Sequence, residues 1–307
     1  MAVRIVVLRA LGLGDLLTIV PCLRGLQDAF PGAAVTVAAP GPLAPLIALA
    51  GCAAAEAEPL ALLAPSLQGA DLLVNLHGRG PQSHRVALAA RPRRLIAFAH
   101  PTVPESAALP AWRDGEHEVH RWARLLTACG IPADPSRLAL PIPALPERLA
   151  AARGATVVHP GAASAARRWP AERFAAVARA EARTGRHVLV TGSAPERALA
   201  TEVALRAGLA PDAVLAGATD LYGLAAVVGA AARVVCGDTG VAHLATALGV
   251  PSVVLFGPTS PEQWGPHGER HRVLWHGTRG DPHADRPDAG LLEIEPREVL
   301  AELARLP

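Results

Sequence analysis

The chain has 307 residues, 51% of them apolar but only 3% aromatic, and a formal charge of +2. That length suggests about two domains with cores of small side chains, and so weak a net charge argues against bulk nucleic-acid binding. The cysteines (Cys22, Cys52, Cys129, Cys236) are scattered, with no Cys-x-x-Cys pair and no nearby Cys/His cluster, which fits a reducing cytosol and argues against a structural zinc.

Residues 3–8 (VRIVVL) predict a buried strand, entered without a charged leader, so no secretory signal is expected. A glycine turn follows (Gly12-Leu13-Gly14-Asp15), then a helix over 16–30 and a second strand over 35–39. This order implies a parallel sheet. The turn invites a dinucleotide-binding reading. GLGDLL lacks the third glycine of GxGxxG, however, and VTVAAP ends without a ribose-binding acid, so a nicotinamide enzyme is disfavoured. Asp15 falls where the carboxyl edge of such a sheet opens, and a helix N-cap is the alternative role. Residues 29–55 carry no charge, but four prolines and three glycines break them into pieces too short to span a bilayer. Residues 71–76 (DLLVNL) predict a further strand ending at Asn75-Leu76-His77-Gly78. From Leu72 to Pro104 there are five arginines, including Arg79, and three histidines with no acid. This span reads either as a positive field for an anionic acceptor or membrane surface, or as a solvated face balanced elsewhere. An amphipathic helix over 118–129, carrying His120, ends at Gly130, a suitable C-cap.

Residues 131–154 hold five prolines and predict the domain boundary, giving domains 1–145 and 146–307. The pattern then restarts: strand 156–159, loop to 168, helix 170–183, strand 187–191, loop to 195, helix 196–207 and a segment 221–231. Strand 234–236 breaks at Gly237-Asp238-Thr239-Gly240, followed by helix 241–248 and strand 252–256. The turn sets Asp238, Thr239 and Gly240 at a helix N-terminus, where free N–H groups and the dipole favour an anion, with His243 one turn in. A pyrophosphate site is one reading; a capped helix with His243 in a wall is the other. A last helix is expected over 295–306.

GDTGVAHLATALGVPSVVLFGPTSPEQWGP resembles the signature of glycosyltransferase family 9, the heptosyltransferases of lipopolysaccharide core assembly. VLRALGLGDLLTIVPCLRGLQDAFP, VVHPGAASAARRWPAERFAAVA and TGSAPERALA fit the same family in order, so the resemblance covers most of the chain. It implies an α/β fold of the GT-B type: two Rossmann-like domains with parallel sheets facing an interdomain cleft, the final helix packing back on the first domain. It implies an inverting, metal-independent transfer from a nucleotide-diphosphate sugar, ADP-heptose as first choice, with no cofactor. Asp15 matches the proposed general base and Arg167 the cation on the departing diphosphate. Donor contacts carry over to Ser164, Glu196 (ribose, or simply a first-turn helix acid), Ala218, Thr219, Asp238, Thr239, Gly240 and His243. Where relatives often have Ser/Thr before Arg167, this chain has Ala162-Ala163-Ser164, which thins the side-chain phosphate contacts. Gly14, Asn75, His77, Arg79 and His120 fall on the acceptor side. The acceptor is left open: an anionic glycan, a glycolipid or a small glycoside, reached in the cytoplasm or at the inner membrane surface. An epimerase or hydrolase on the same scaffold would need different acid/base residues in the first domain, and a non-catalytic sugar-nucleotide-binding protein would have no use for Asp15.

Overall fold

In a computed structural model, which describes residues 3–277 and 279–307, the chain divides between Leu140 and Pro141 into two compact units. Each is built on a parallel five-stranded sheet. The first unit runs β1 (Arg4–Leu8), α1 (Leu13–Thr18), α2 (Val20–Ala29), β2 (Ala34–Ala39), α3 (Ala44–Leu49), β3 (Ala53–Glu56), β4 (Leu72–Asn75), α4 (Gln82–Ala89), β5 (Arg94–Ile96) and α5 (Glu118–Ala128). Its strand order is β3-β2-β1-β4-β5. Val6 of β1 lies opposite Thr36 on one side and Leu73 on the other. β1 and β4 bury nearly every side chain, as strands covered on both faces must. The strand order reverses between β1 and β4, and the loops leaving these strands diverge there, leaving a crevice at the carboxyl edge.

The helix expected over 16–30 is two helices. Pro21 has no N–H to continue an i→i−4 ladder, and the chain breaks at Ile19 (φ −98°, ψ 1°) before restarting as α2. The uncharged stretch after Ala29 is divided among β2, α3 and β3, and among the described residues no helix is long and apolar enough to cross a membrane.

The second unit runs β6 (Thr156–His159), α6 (Ala171–Arg183), β7 (Val188–Val190), α7 (Arg197–Ala207), α8 (Leu221–Ala230), β8 (Arg233–Gly237), α9 (Gly240–Ala247), β9 (Ser252–Leu255), α10 (Pro261–Trp264), β10 (His271–Leu274), α11 (Ala289–Glu293) and α12 (Pro296–Ala304). Its order is β10-β9-β8-β6-β7, so here the switch lies between β6 and β8. Val158, Trp169, Phe174, Val235 and Leu255 are buried in one core. The boundary falls earlier than 145/146 because the later part of the proline stretch, from Pro141, belongs to this unit: Ile142 packs so closely on α8 that a Cβ at Gly229 would lie 2.5 Å from its Cγ2. The last helix, α12, buries Val299 and Leu303 in the second unit's core, against α6, β9 and β10.

Candidate active site

In the first unit, β1 delivers the chain to the switch point, and Arg9 to Gly12 turn into α1. Asp15 is the third residue of that helix rather than its N-cap. Its Oδ2 accepts the Gly12 N–H at 3.3 Å, the half of a capping box that a glycine cap allows. Its Oδ1 accepts from Arg9 Nη2 at 3.0 Å. The Asp15 side chain keeps 30% of its surface in solvent, while Arg9 keeps 1%. Gly14 sits half-buried in the same turn.

The neighbouring loop leaves β4. Asn75 is wholly buried, its amide donating to Ser83 Oγ (3.1 Å) and His84 Nδ1 (3.3 Å) and its Oδ1 accepting the His77 N–H (3.1 Å). Asn75 therefore shapes the loop, with its polar atoms already spent. His77 accepts the Ala10 N–H on Nδ1 at 3.2 Å, which leaves the ring proton on Nε2. Burial, and then the charge of Arg9, push its pKa down to about 4, so it is a neutral hydrogen-bond donor beside the Asp15 turn. Arg79 is exposed and lies 3.8 Å from the exposed Asp114. His120 is exposed on α5, its ring edge-on to that of His117, the N-cap of the helix.

The basic span does not form one field. Arg93 pairs with Asp71 and Arg94 donates to the Cys129 carbonyl, both at the amino edge of the sheet, whereas Arg79 follows β4 at the carboxyl edge. His84 is buried and donates to the Phe98 carbonyl.

In the second unit the switch point brings the loop after β6 beside the loop after β8. Arg167 ends a 3-10 turn (Ala165–Arg167), its Nη1 3.8 Å from Asp238 Oδ2 and 3.5 Å from the Asp238 carbonyl. Arg167 Nε is buried without a partner among the described residues, an orphan donor at a sheet edge where an anion is expected. Burial raises the proton affinity of Asp238, against the pull of Arg167 and a hydrogen bond with Thr259. Thr239 occupies the N-cap of α9 but makes no side-chain cap, and among the described residues its buried Oγ1 has only the Cys236 thiol as a neighbouring partner. The first N–H groups of α9, beginning at Gly240, are left without a side-chain cap, which suits an anion. His243, one turn in, is half-buried with its ring edge-on to Trp264, 5.9 Å between centroids.

Ser164 is committed elsewhere than expected: its hydroxyl donates to the Pro282 carbonyl at 2.6 Å and caps Ala166 N–H at 3.2 Å. Glu196 accepts from Ser193 N–H (2.8 Å) and hydroxyl (2.7 Å) in a capping box. Burial alone would raise its pKa; the Ser193 bonds together with the charges of His159 and Arg168 outweigh this and lower it below the usual carboxylate value. A Cβ at Gly161 would overlap the Glu196 carboxylate where it now lies, so glycine lets the β6 loop pass with that carboxylate in place. Ala218 and Thr219 are carried to the same edge by Gly217 (φ 69°), which packs against Ala194. His159, buried and neutral, bonds Thr191 Oγ1 at 3.0 Å beneath this turn.

Two residues that sequence reasoning passed over, Arg9 and Glu118, dominate the first unit's site. Their only local signal is a charge placed where an apolar strand ends and at the head of an amphipathic helix.

The profile of Glycosyltransferase family 9 (heptosyltransferase) matches residues 103–290, more than half the chain. Lipopolysaccharide heptosyltransferase 2 of Escherichia coli K12 is 32% identical over 149 residues, 46% of this chain and 43% of the relative, so the match spans less than half the length of that protein. The structure of E. coli ADP-heptose lipopolysaccharide heptosyltransferase II superposes with a TM-score of 0.79 at 24% identity, covering 98% of both chains. A family 9 glycosyltransferase of Veillonella parvula superposes at 0.80 with 21% identity, covering 98% of this chain and 96% of the other. At these identities the superpositions speak for the fold, which is GT-B. Matched over more than half of its length by that profile, the chain belongs to glycosyltransferase family 9.

Proposed function

We propose that this protein is an inverting, metal-independent glycosyltransferase that moves a sugar, heptose from ADP-heptose as first choice, from a nucleotide-diphosphate sugar to an acceptor hydroxyl. The observation that carries the reading is Arg167 held beside Asp238 at the uncapped start of α9. A fixed guanidinium and a row of backbone N–H groups suit the charge that grows on a departing diphosphate. Glu196, ionised over Gly161, suits ribose hydroxyls, and the Ala218–Thr219 segment beside it suits the base.

Asp15 takes the proton of the acceptor hydroxyl. Each of its oxygens already accepts one hydrogen bond, from Arg9 or from Gly12, and each keeps a lone pair for the task. The acceptor oxygen attacks the anomeric carbon as the bond to the diphosphate breaks. The electron pair leaves with the nucleoside diphosphate toward Arg167 and His243, and the anomeric configuration inverts. Arg167 supplies the positive charge that a bridging metal otherwise provides. His77, a neutral donor beside the Asp15 turn, orients an acceptor oxygen.

The acceptor is an anionic cell-envelope glycan, a glycolipid or a small glycoside, met in the cytoplasm or at the membrane face. Incubation with a panel of nucleotide sugars, following diphosphate release with and without acceptors, tests the reading. Acceptor-dependent release supports it. Release without acceptor marks a hydrolase, and an altered sugar still bound to its nucleotide marks an epimerase.

A further inference from the structure

Arg9 is buried more completely than any function as a surface charge allows, and its guanidinium donates from every nitrogen. Nε reaches the Asp15 carbonyl at 3.0 Å, and Nη1 reaches the Leu76 carbonyl at the end of β4. Nη2 lies 3.0 Å from Asp15 Oδ1, 3.2 Å from Glu118 Oε1 and 3.3 Å from Thr18 Oγ1. The Trp122 ring supports the guanidinium carbon at 4.9 Å. Glu118 is itself seated from two sides: Trp122 Nε1 donates to Oε1 at 2.8 Å, and Arg121 pairs with Oε2.

Two cations and two carboxylates thus balance within one unit, yet they are not equivalent. Thr18 and Glu118 are buried, whereas the Asp15 side chain keeps 30% of its surface in solvent. A buried ion pair is a poor source of net stability compared with apolar packing of the same volume. What this one does geometrically is tie the end of β1, the end of β4, the Asp15 turn and the head of α5 to a single planar group. The fork fixes both the backbone and the carboxylate of Asp15, which a point charge on a flexible stem cannot do.

We infer that Arg9 is the positioning residue for Asp15, and that Glu118, seated by Trp122 and Arg121, holds Arg9 for that task. The inference rests on the reading of Asp15 as the base. Arg9 touches Asp15 and acts through it, setting the direction in which the free lone pairs of the carboxylate point. Displacing a reacting group by about 1 Å costs on the order of a hundredfold in rate.

The test is a double-mutant cycle of Arg9→Lys and Asp15→Asn in the full-length protein, reading kcat, acceptor KM and, by calorimetry, ADP affinity. Arg9→Lys is expected to lower kcat about ten- to a hundredfold while KM and ADP affinity stay within a few-fold. In the Asp15→Asn background the same change is expected to cost little more, because the carboxylate it orients is gone. Glu118→Gln, which keeps the shape of the anchor, is read in the same cycle and is expected to lose several-fold in kcat with the same non-additivity. It serves alone if Arg9→Lys does not fold. Losses that multiply independently in the two backgrounds would overturn the inference, as would a loss confined to KM. If Asp15→Asn is slow but Arg9→Lys and Glu118→Gln turn over at the wild-type rate, Asp15 stands as the base and only the role of Arg9 fails. If Asp15→Asn itself turns over normally, the base reading fails and the role of Arg9 falls with it.

Discussion

Asp15 unites the two roles that compete for it. It closes the first turn of α1 through the Gly12 N–H and still presents a carboxylate to solvent. Replacing it with Asn keeps the cap and removes the proposed base, so Asp15→Asn is expected to lower kcat by about a hundred- to ten-thousandfold while ADP affinity changes little. Steady-state kinetics with calorimetry on one preparation checks both halves. His77 gives a second residue-scale expectation. Its folded pKa is about 4, below the ordinary 6.5, so between these values the unfolded chain binds a proton that the native one does not. Stability is then fully present above about pH 6.5 and is lost as pH falls toward 4. Urea unfolding at pH 7.5 and pH 5 should show a smaller loss in His77→Gln than in the wild type. An equal loss in both would mean that His77 protonates freely in the folded state. Arg9 and Glu118 show why part of this site is hard to read from sequence: the two are 109 positions apart, and nothing local to either names the other.

At the scale of elements, the central strands were legible because strands buried on both faces read as apolar runs, as in Ile5–Leu8 and Val234–Cys236. The edge strands β3, β5 and β10 were not. AAAE, RLI and HRVL are short and partly exposed, and they pair because a neighbour offers a ladder rather than because their own pattern demands it. The Gly-Asp-Thr-Gly turn was legible for the opposite reason, since strand, turn and helix signals there all agree. The hydrogen bonds of Ser164 and Asn75 were not legible, because they are settled by partners elsewhere in the chain, such as the Pro282 carbonyl and His84. Gly161 yields an expectation for the loop after β6. Gly161→Ala forces a methyl into the Glu196 carboxylate. Overpacking of this kind costs about 1–3 kcal/mol, so both thermal stability and ADP affinity should fall. A variant with wild-type stability and affinity would show that Glu196 swings aside without cost and is not fixed for a ribose.

At the scale of the molecule, each sheet reverses strand order beside a pair of charged side chains: β1/β4 at Arg9 and Asp15, and β6/β8 at Arg167 and Asp238. If Arg167 supplies the charge for the leaving group, as proposed, turnover should survive EDTA and gain nothing from added magnesium or manganese. Activity abolished by the chelator and restored by a metal would contradict that. In the proposed function, the carboxyl edge of the second sheet holds a nucleoside diphosphate through Arg167, His243 and the start of α9. Calorimetric titration of ADP into the wild type, Arg167→Ala, Arg167→Lys and His243→Ala tests it most directly. Losing a charged hydrogen bond costs roughly 1.5–3 kcal/mol, so Arg167→Ala should bind ADP about ten- to a hundredfold more weakly. Arg167→Lys should recover part of this, and His243→Ala should weaken binding in the same direction. Unchanged affinity in both alanine variants, with folding intact, would place the nucleotide elsewhere and contradict the account.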